Sequence, residues 1–149
     1  MDAEAELEGF IAKYSDAVAA QVRAARAAMR ARLPGSVELV YDNYNALAIG
    51  YGATERVGDI VFSIAVYPRW ISLFFARGAA LVDPAERLKG EGSHVRHIVL
   101  TDLALLDDPE VRALMDQALA RADPPIRPGG PPPTVIKSIS AKQRPRRPA

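Results

Sequence analysis

Apolar residues near the start of the chain recur at helical spacing. Val18, Val22, Ala25, Met29 and Leu33 follow at intervals of four, three, four and four, which lines up one face of a helix over residues 16–33. Leu7, Phe10, Ile11 and Tyr14 fit a shorter amphipathic segment before it, and Ser15-Asp16 supplies a break with a fresh N-cap. Pro34-Gly35 ends the helical region.

The period then changes from helical spacing to alternation. Val37, Leu39 and Tyr41 alternate with Glu38 and Val40, and residues 46–52 form a second run after Asp42-Asn43-Tyr44-Asn45. Residues 59–67 place Ile60, Phe62, Ile64 and Val66 on one side and Val61, Ser63, Ala65 and Tyr67 on the other. Residues 70–76 oppose Trp70, Ser72 and Phe74 to Ile71, Leu73 and Phe75, and residues 95–100 give a fifth run. Short connections such as Pro68-Arg69 favour antiparallel hairpins. Both sides of the third and fourth runs are largely apolar, so the pattern predicts a sheet covered on more than one side. Helices would cover one face, and a ligand or a partner chain, including a second copy, part of the other.

Asp83-Pro84 predicts a single helical turn to about Leu88. Asp107-Asp108-Pro109-Glu110 predicts a helix start, followed by a core-facing stripe of Val111, Leu114, Met115, Ala118, Leu119 and Ala122. The predicted fold class is α+β: an antiparallel sheet of about five strands flanked by N-terminal helices and a C-terminal helix.

Charge divides the 149 residues into two parts. Residues 1–123 carry 13 basic against 18 acidic residues, and residues 124–149 carry six basic residues and no acid. The second part opens with Pro124, Pro125, Pro128, Pro131, Pro132 and Pro133 around Gly129-Gly130, which excludes helix. The expected organisation is an α+β domain over 1–123 and a Pro-rich linker with a basic, disordered tail over 124–149. Residues 134–140 are open to forming one edge strand, with Val135 and Ile139 on one side. The tail offers charge to nucleic acid or an acidic partner, but without interleaved aromatics it offers no base stacking.

Absence of cysteine excludes disulfides, thiolate nucleophiles and zinc–thiolate sites. The acidic N-terminal residues do not read as a signal peptide, and no apolar run is long enough to span a membrane. A soluble, cytoplasmic protein is expected.

Eight of the ten aromatic residues lie between Tyr41 and Phe75. Rings with polar tips suit a binding site, and the Tyr41, Asp42, Asn43, Tyr44, Asn45 knot combines them within five residues. A hairpin turn explains the Asn and Asp residues equally well. Tyr67 and Trp70 are expected to join this candidate ligand or partner site, with Arg69 and Arg96 as anion contacts. Phe62, Phe74 and Phe75 read as packing. His94 and His97, three apart on a strand, point to opposite sides and do not form a metal pair. Asp107, Asp108 and Glu110 are weak metal candidates whose helix-capping role already accounts for them. Gly90-Glu91-Gly92-Ser93 precedes a strand rather than a helix and reads as a turn, not a phosphate loop. No catalytic constellation is visible, and a non-enzymatic binding protein is the expected class.

The strings Val40-Tyr-Asp-Asn-Tyr-Asn-Ala-Leu-Ala-Ile-Gly-Tyr-Gly, Phe62-Ser-Ile-Ala-Val-Tyr-Pro-Arg-Trp-Ile-Ser-Leu-Phe-Phe, Gly78-Ala-Ala-Leu-Val-Asp-Pro and Val95-Arg-His-Ile resemble the bacterial YdhG-like domain of unknown function. The resemblance covers about residues 8–122 and implies a small α+β domain with an antiparallel sheet between helices. Some relatives are described as frataxin-like iron chaperones, which implies weak iron binding by exposed carboxylates. No ligand set carries over residue by residue, and no other cofactor is implied.

Overall fold

The computed structural model describes residues 2–149. Helix α1 (Ala3–Ile11) starts at Asp2, whose carboxylate accepts from the Ala5 amide at 2.8 Å. Ser15 caps α2 (Asp16–Arg32) in the same way, so the break read from Ser15-Asp16 is a true helix boundary. The predicted stripe of Val18, Val22, Ala25, Met29 and Leu33 is buried along its whole length.

Six strands follow: β1 (Val37–Asp42), β2 (Leu47–Gly52), β3 (Ile60–Val66), β4 (Ile71–Phe75), β5 (Arg96–Val99) and β6 (Thr134–Ile139), in the spatial order β5-β4-β3-β2-β1-β6. The first five pair antiparallel, and β6 pairs parallel to β1 at the edge. The fold class is therefore α+β with a mostly antiparallel sheet, of six strands rather than about five. Helix α3 (Pro109–Arg121) begins where the acidic cluster predicted, with Asp108 accepting from the Glu110 and Val111 amides at 2.9 and 3.4 Å. The segment after Asp83 is a turn rather than a helix, since both Asp83 carboxylate oxygens are spent on the Arg87 and Leu88 amides.

Strand register assigns every sheet residue to one of two faces. One face carries the cross-strand rows Val40–Ile49–Ile64–Leu73–Ile98 and Glu38–Tyr51–Phe62–Phe75–Arg96. Its apolar members pack with Leu7, Ile11, Val22 and Met29 of the helices into one core, where Phe62 meets Phe75 edge-to-face at 5.4 Å. The opposite face carries Tyr41–Ala48–Ala65–Ser72–Val99 and Leu39–Gly50–Ser63–Phe74–His97. Half of these ten positions are Ala, Ser or Gly, and none of the ten belongs to the helix-built core. The β2–β3 connection tucks Ile60 over Gly50, where a Cβ would lie 2.8 Å from the Ile60 Cδ1.

The C-terminal segment departs furthest from expectation. Residues 134–149 lie against the body as β6 and an irregular ending, where sequence alone predicts a disordered tail beyond an optional edge strand. Arg146 is buried, with its guanidinium on the Asp42 carboxylate at 2.9 Å. No helix is long and apolar enough to cross a membrane among the described residues.

Candidate functional site

The uncovered sheet face forms an open groove of about 780 Å³. Its floor is Ala48, Ser63, Ala65 and Ala76; Tyr67 and Phe74 rise as walls; and Asn43, Tyr44, Asn45 and Ser140 form one end. The other end carries Val57, Ile60 and Val95. Strand alternation places the small residues side by side, so the floor lies a full side-chain depth below the aromatic walls.

Several residues nominated from sequence meet here. Asn43, Tyr44 and Asn45 form the β1–β2 turn, closed by the Asn43 amide donating to the Ala46 carbonyl at 3.0 Å, so the hairpin is present and its three turn residues also line the groove. Tyr67 lines the groove, and Trp70 stacks behind it at 4.8 Å and 21° with 43% of its surface exposed. Partial burial pushes the Tyr67 phenol upward, keeping it a neutral donor and acceptor. Tyr41 stands in the adjacent row, its hydroxyl buried without a hydrogen-bond partner and its pKa raised by that burial.

Three nominated residues lie elsewhere. Asp42 faces the helices and is wholly buried. Lys13 Nζ donates to its Oδ2 at 2.8 Å, Gln143 Nε2 to the same oxygen at 2.9 Å, and Arg146 Nη2 to Oδ1 at 2.9 Å. Burial pushes this carboxyl upward, but those three donors outweigh it and hold it below the usual range. A carboxylate so occupied is a fastening for the turn, not a ligand contact. Arg96 lies on β5 in the row of Phe75, and its guanidinium donates to the Gly92 and Val95 carbonyls, tying down the preceding loop. Arg69 is exposed at the β3–β4 turn and does not line the groove.

Phe74 corrects the sequence reading in the other direction. It is a groove wall rather than core packing, backed by His97 stacked on it at 5.0 Å and 26°. Ser63 and Ala65 were visible in the alternation, but only the uncovered face gives them a role. His94 and His97 do not meet: His97 is spent on Phe74, and His94 lies in the loop, where its carbonyl accepts from the Ala79 amide.

The acidic candidates are ion-paired. Asp107 bonds Arg112 at 2.9 Å and Arg32 at 2.6 Å, which hold its carboxyl below the usual range. Asp108 caps α3, and Arg87 approaches both Asp108 and Glu110 at 3.4 Å. Among the described residues no group of three or more histidines and carboxylates is arranged to hold a metal ion.

A second buried carboxylate marks the other end of β1. Glu38 receives Arg26, Arg30, Tyr51 and Thr134 at 2.7–3.0 Å. Burial raises its pKa, but Arg26, Tyr51 and Thr134 more than offset this and lower it. The Tyr51 phenol beside it is pushed well above its ordinary value by burial and by the Glu38 charge. A smaller cavity of about 430 Å³ lies between Ile60, Val61, Ala76 and the end of α3, with Asp59, Arg77, Arg121 and Asp123 at its rim.

Comparison with known proteins returns no match: no family model, no curated protein and no solved structure is similar to the chain.

Proposed function

We propose that the chain is a non-enzymatic binding domain whose ligand lies in the groove of the uncovered sheet face. The observation that carries this reading is the chemistry of the lining. Fourteen residues line the groove and none is charged, in a chain whose residues are 25% charged. A floor of alanine and serine between aromatic walls suits a flat apolar body, while Asn43, Asn45, Ser140 and the tyrosines offer hydrogen bonds to its edge. The ligand class is an uncharged molecule with an aromatic or planar apolar core and an amide- or hydroxyl-like rim. A phosphate-bearing or strongly charged ligand finds no counter-charge in the lining.

The same lining supports a binding role over catalysis. Its hydroxyls belong to Ser63, Ser140, Tyr44 and Tyr67, with no Asp, Glu, His or Lys among the lining residues to take a proton from them. The YdhG-like resemblance of residues 8–122 fits this small α+β scaffold. Its iron-chaperone implication draws no support from Asp107, Asp108 or Glu110, which already hold arginines or cap a helix.

The test uses a matched series: 3-phenylpropanamide, 3-phenylpropanoate and 3-phenylpropylamine, titrated while Trp70 emission is followed. The amide is expected to bind in preference to both ions, and Ser63→Phe, which fills the floor, to abolish the response. Equal responses to all three, or an amide response untouched by Ser63→Phe, would overturn the reading.

A further inference from the structure

The C-terminal segment meets the body as a docked peptide does. It adds a strand to the free edge of β1 in parallel register, pairing Leu39 with Val135, Val40 with Ile136 and Asp42 with Ile139. Main-chain bonds of this kind give affinity without regard to side chains, and pockets at the ends give selectivity. Both ends have one. At the start, Thr134 Oγ1 donates to the Glu38 carboxylate at 2.8 Å, and Ile136 packs against the core. Between the ends, Lys137, Ser138 and Ile139 are exposed.

The far pocket is built for an arginine. Its wall is Asp42, the carbonyls of Asn43 and Tyr44, and the Tyr14 ring, which lies 5.8 Å from the Arg146 guanidinium. A planar fork satisfies a carboxylate and two carbonyls at once, where an ammonium group is a single point charge. The backbone leads the arginine in: the Ser140 amide donates to the Asp42 carbonyl and the Arg144 amide to the Tyr44 carbonyl, both at 2.8 Å. The segment reaches the body through residues 124–133, six of them proline, with main-chain contacts at Gly35 and Glu38.

We propose that the β1 edge with the Asp42 pocket is a recognition site for an extended peptide segment ending in an arginine. Residues 134–147 fill it in cis, and the same segment supplied by a second copy of the chain fills it in trans. The basic tail is then the resident of a protein-recognition site, and Asp42 is its receptor. The segment also supplies Ser140 to one end of the groove, so the two sites adjoin there.

A full-length chain with a site-specific protease sequence inserted after Pro125 tests it. After cleavage the C-terminal fragment is expected to co-elute with the body on gel filtration. A fluorescent peptide of residues 126–149 is expected to exchange into the complex saturably. An Arg146→Met peptide should compete at least tenfold less well, an Arg146→Lys peptide should fall between, and a Ser138→Ala peptide, changed at an exposed position, should compete as the parent does. Loss of the fragment on cleavage, failure of the peptide to exchange, or equal competition by the parent and Arg146→Met peptides would overturn the proposal. Unfolding of the body when the fragment leaves would overturn it as well, because the segment would then be part of the folding unit rather than a recognised ligand.

Discussion

The two faces of the sheet come from the same strands, yet one is built mainly of Ile, Leu, Val, Phe and Tyr, and half the positions of the other are Ala, Ser or Gly. On the first face, rows such as Val40–Ile49–Ile64–Leu73–Ile98 meet two helices and exclude water. On the second, Ala48, Ser63 and Ala65 form a floor that no helix covers. Alternation alone makes both faces sheet-forming; side-chain size decides which becomes a core and which a groove. Large residues on a face need a cover, because leaving them in water forfeits about 1.5–3 kcal/mol each. Small residues do not, and they leave room for something else.

The sharpest way to break this contrast is to truncate an equivalent ring on each face. Phe62→Ala, in the covered core, is expected to cost about 3–5 kcal/mol in denaturant unfolding. Phe74→Ala, on the uncovered face, should cost about 1 kcal/mol or less, as for a half-exposed side chain, while removing the Trp70 response to the phenylpropanamide probe. Equal costs would mean that both faces are core.

Glu38→Gln comes next in size. It leaves the buried Arg26 with only the exposed Glu4 carboxylate as counter-charge, and a loss of about 3 kcal/mol is expected in the same assay. Ser63→Ala, two strands away on the groove floor, should change stability by less than about 0.5 kcal/mol.

Acid should separate the faces too. Glu38 and Asp42 both have folded-state pKa values below their ordinary ones, so each contributes stability that is complete above the unfolded carboxyl pKa. That stability is lost as pH falls through the lowered folded values. Stability measured by denaturant between pH 7 and pH 2 is therefore expected to be level at first and to decline below the ordinary carboxylate range. Asp42→Asn should flatten part of the decline. The groove lining has no ionisable carboxylate, so probe affinity should stay level over the pH range in which the fold is intact.

A further small effect is expected at Gly50. A Cβ there meets the tip of the flexible Ile60 side chain, so Gly50→Ala should cost about 1 kcal/mol or less and displace Ile60 toward the groove. A weaker probe response with a small drop in the unfolding midpoint would be its signature.

Most of the helix-covered face was legible in the sequence because its signals are local. The spacing of Val18 to Leu33, the alternation from Ile60 to Phe75 and the cap at Asp108 all act within a few residues. The Tyr41–Asn45 turn was legible for the same reason. Asp42 was misread as a ligand contact because two of its partners, Gln143 and Arg146, are 101 and 104 positions away. The tail was misread with it: composition counts six positive charges but cannot pair one of them with a buried acid 104 positions earlier. Phe74 was assigned to packing because alternation says which residues share a face, not which face the helices cover. Arg69 and Arg96 were nominated only as anion contacts; register puts Arg96 in the row of Phe75 on the helix-covered face, and Arg69 is exposed in the β3–β4 turn.

Amide chemical-shift mapping with 3-phenylpropanamide tests the central claim most directly. Perturbations concentrated on the strands around Ala48, Ser63, Ala65 and Phe74, with none at Val22, Met29 and the other helix residues that cover the opposite face, are the predicted result. No perturbation on the uncovered face, or a stronger and localised one there from the phenylpropanoate anion, would contradict it.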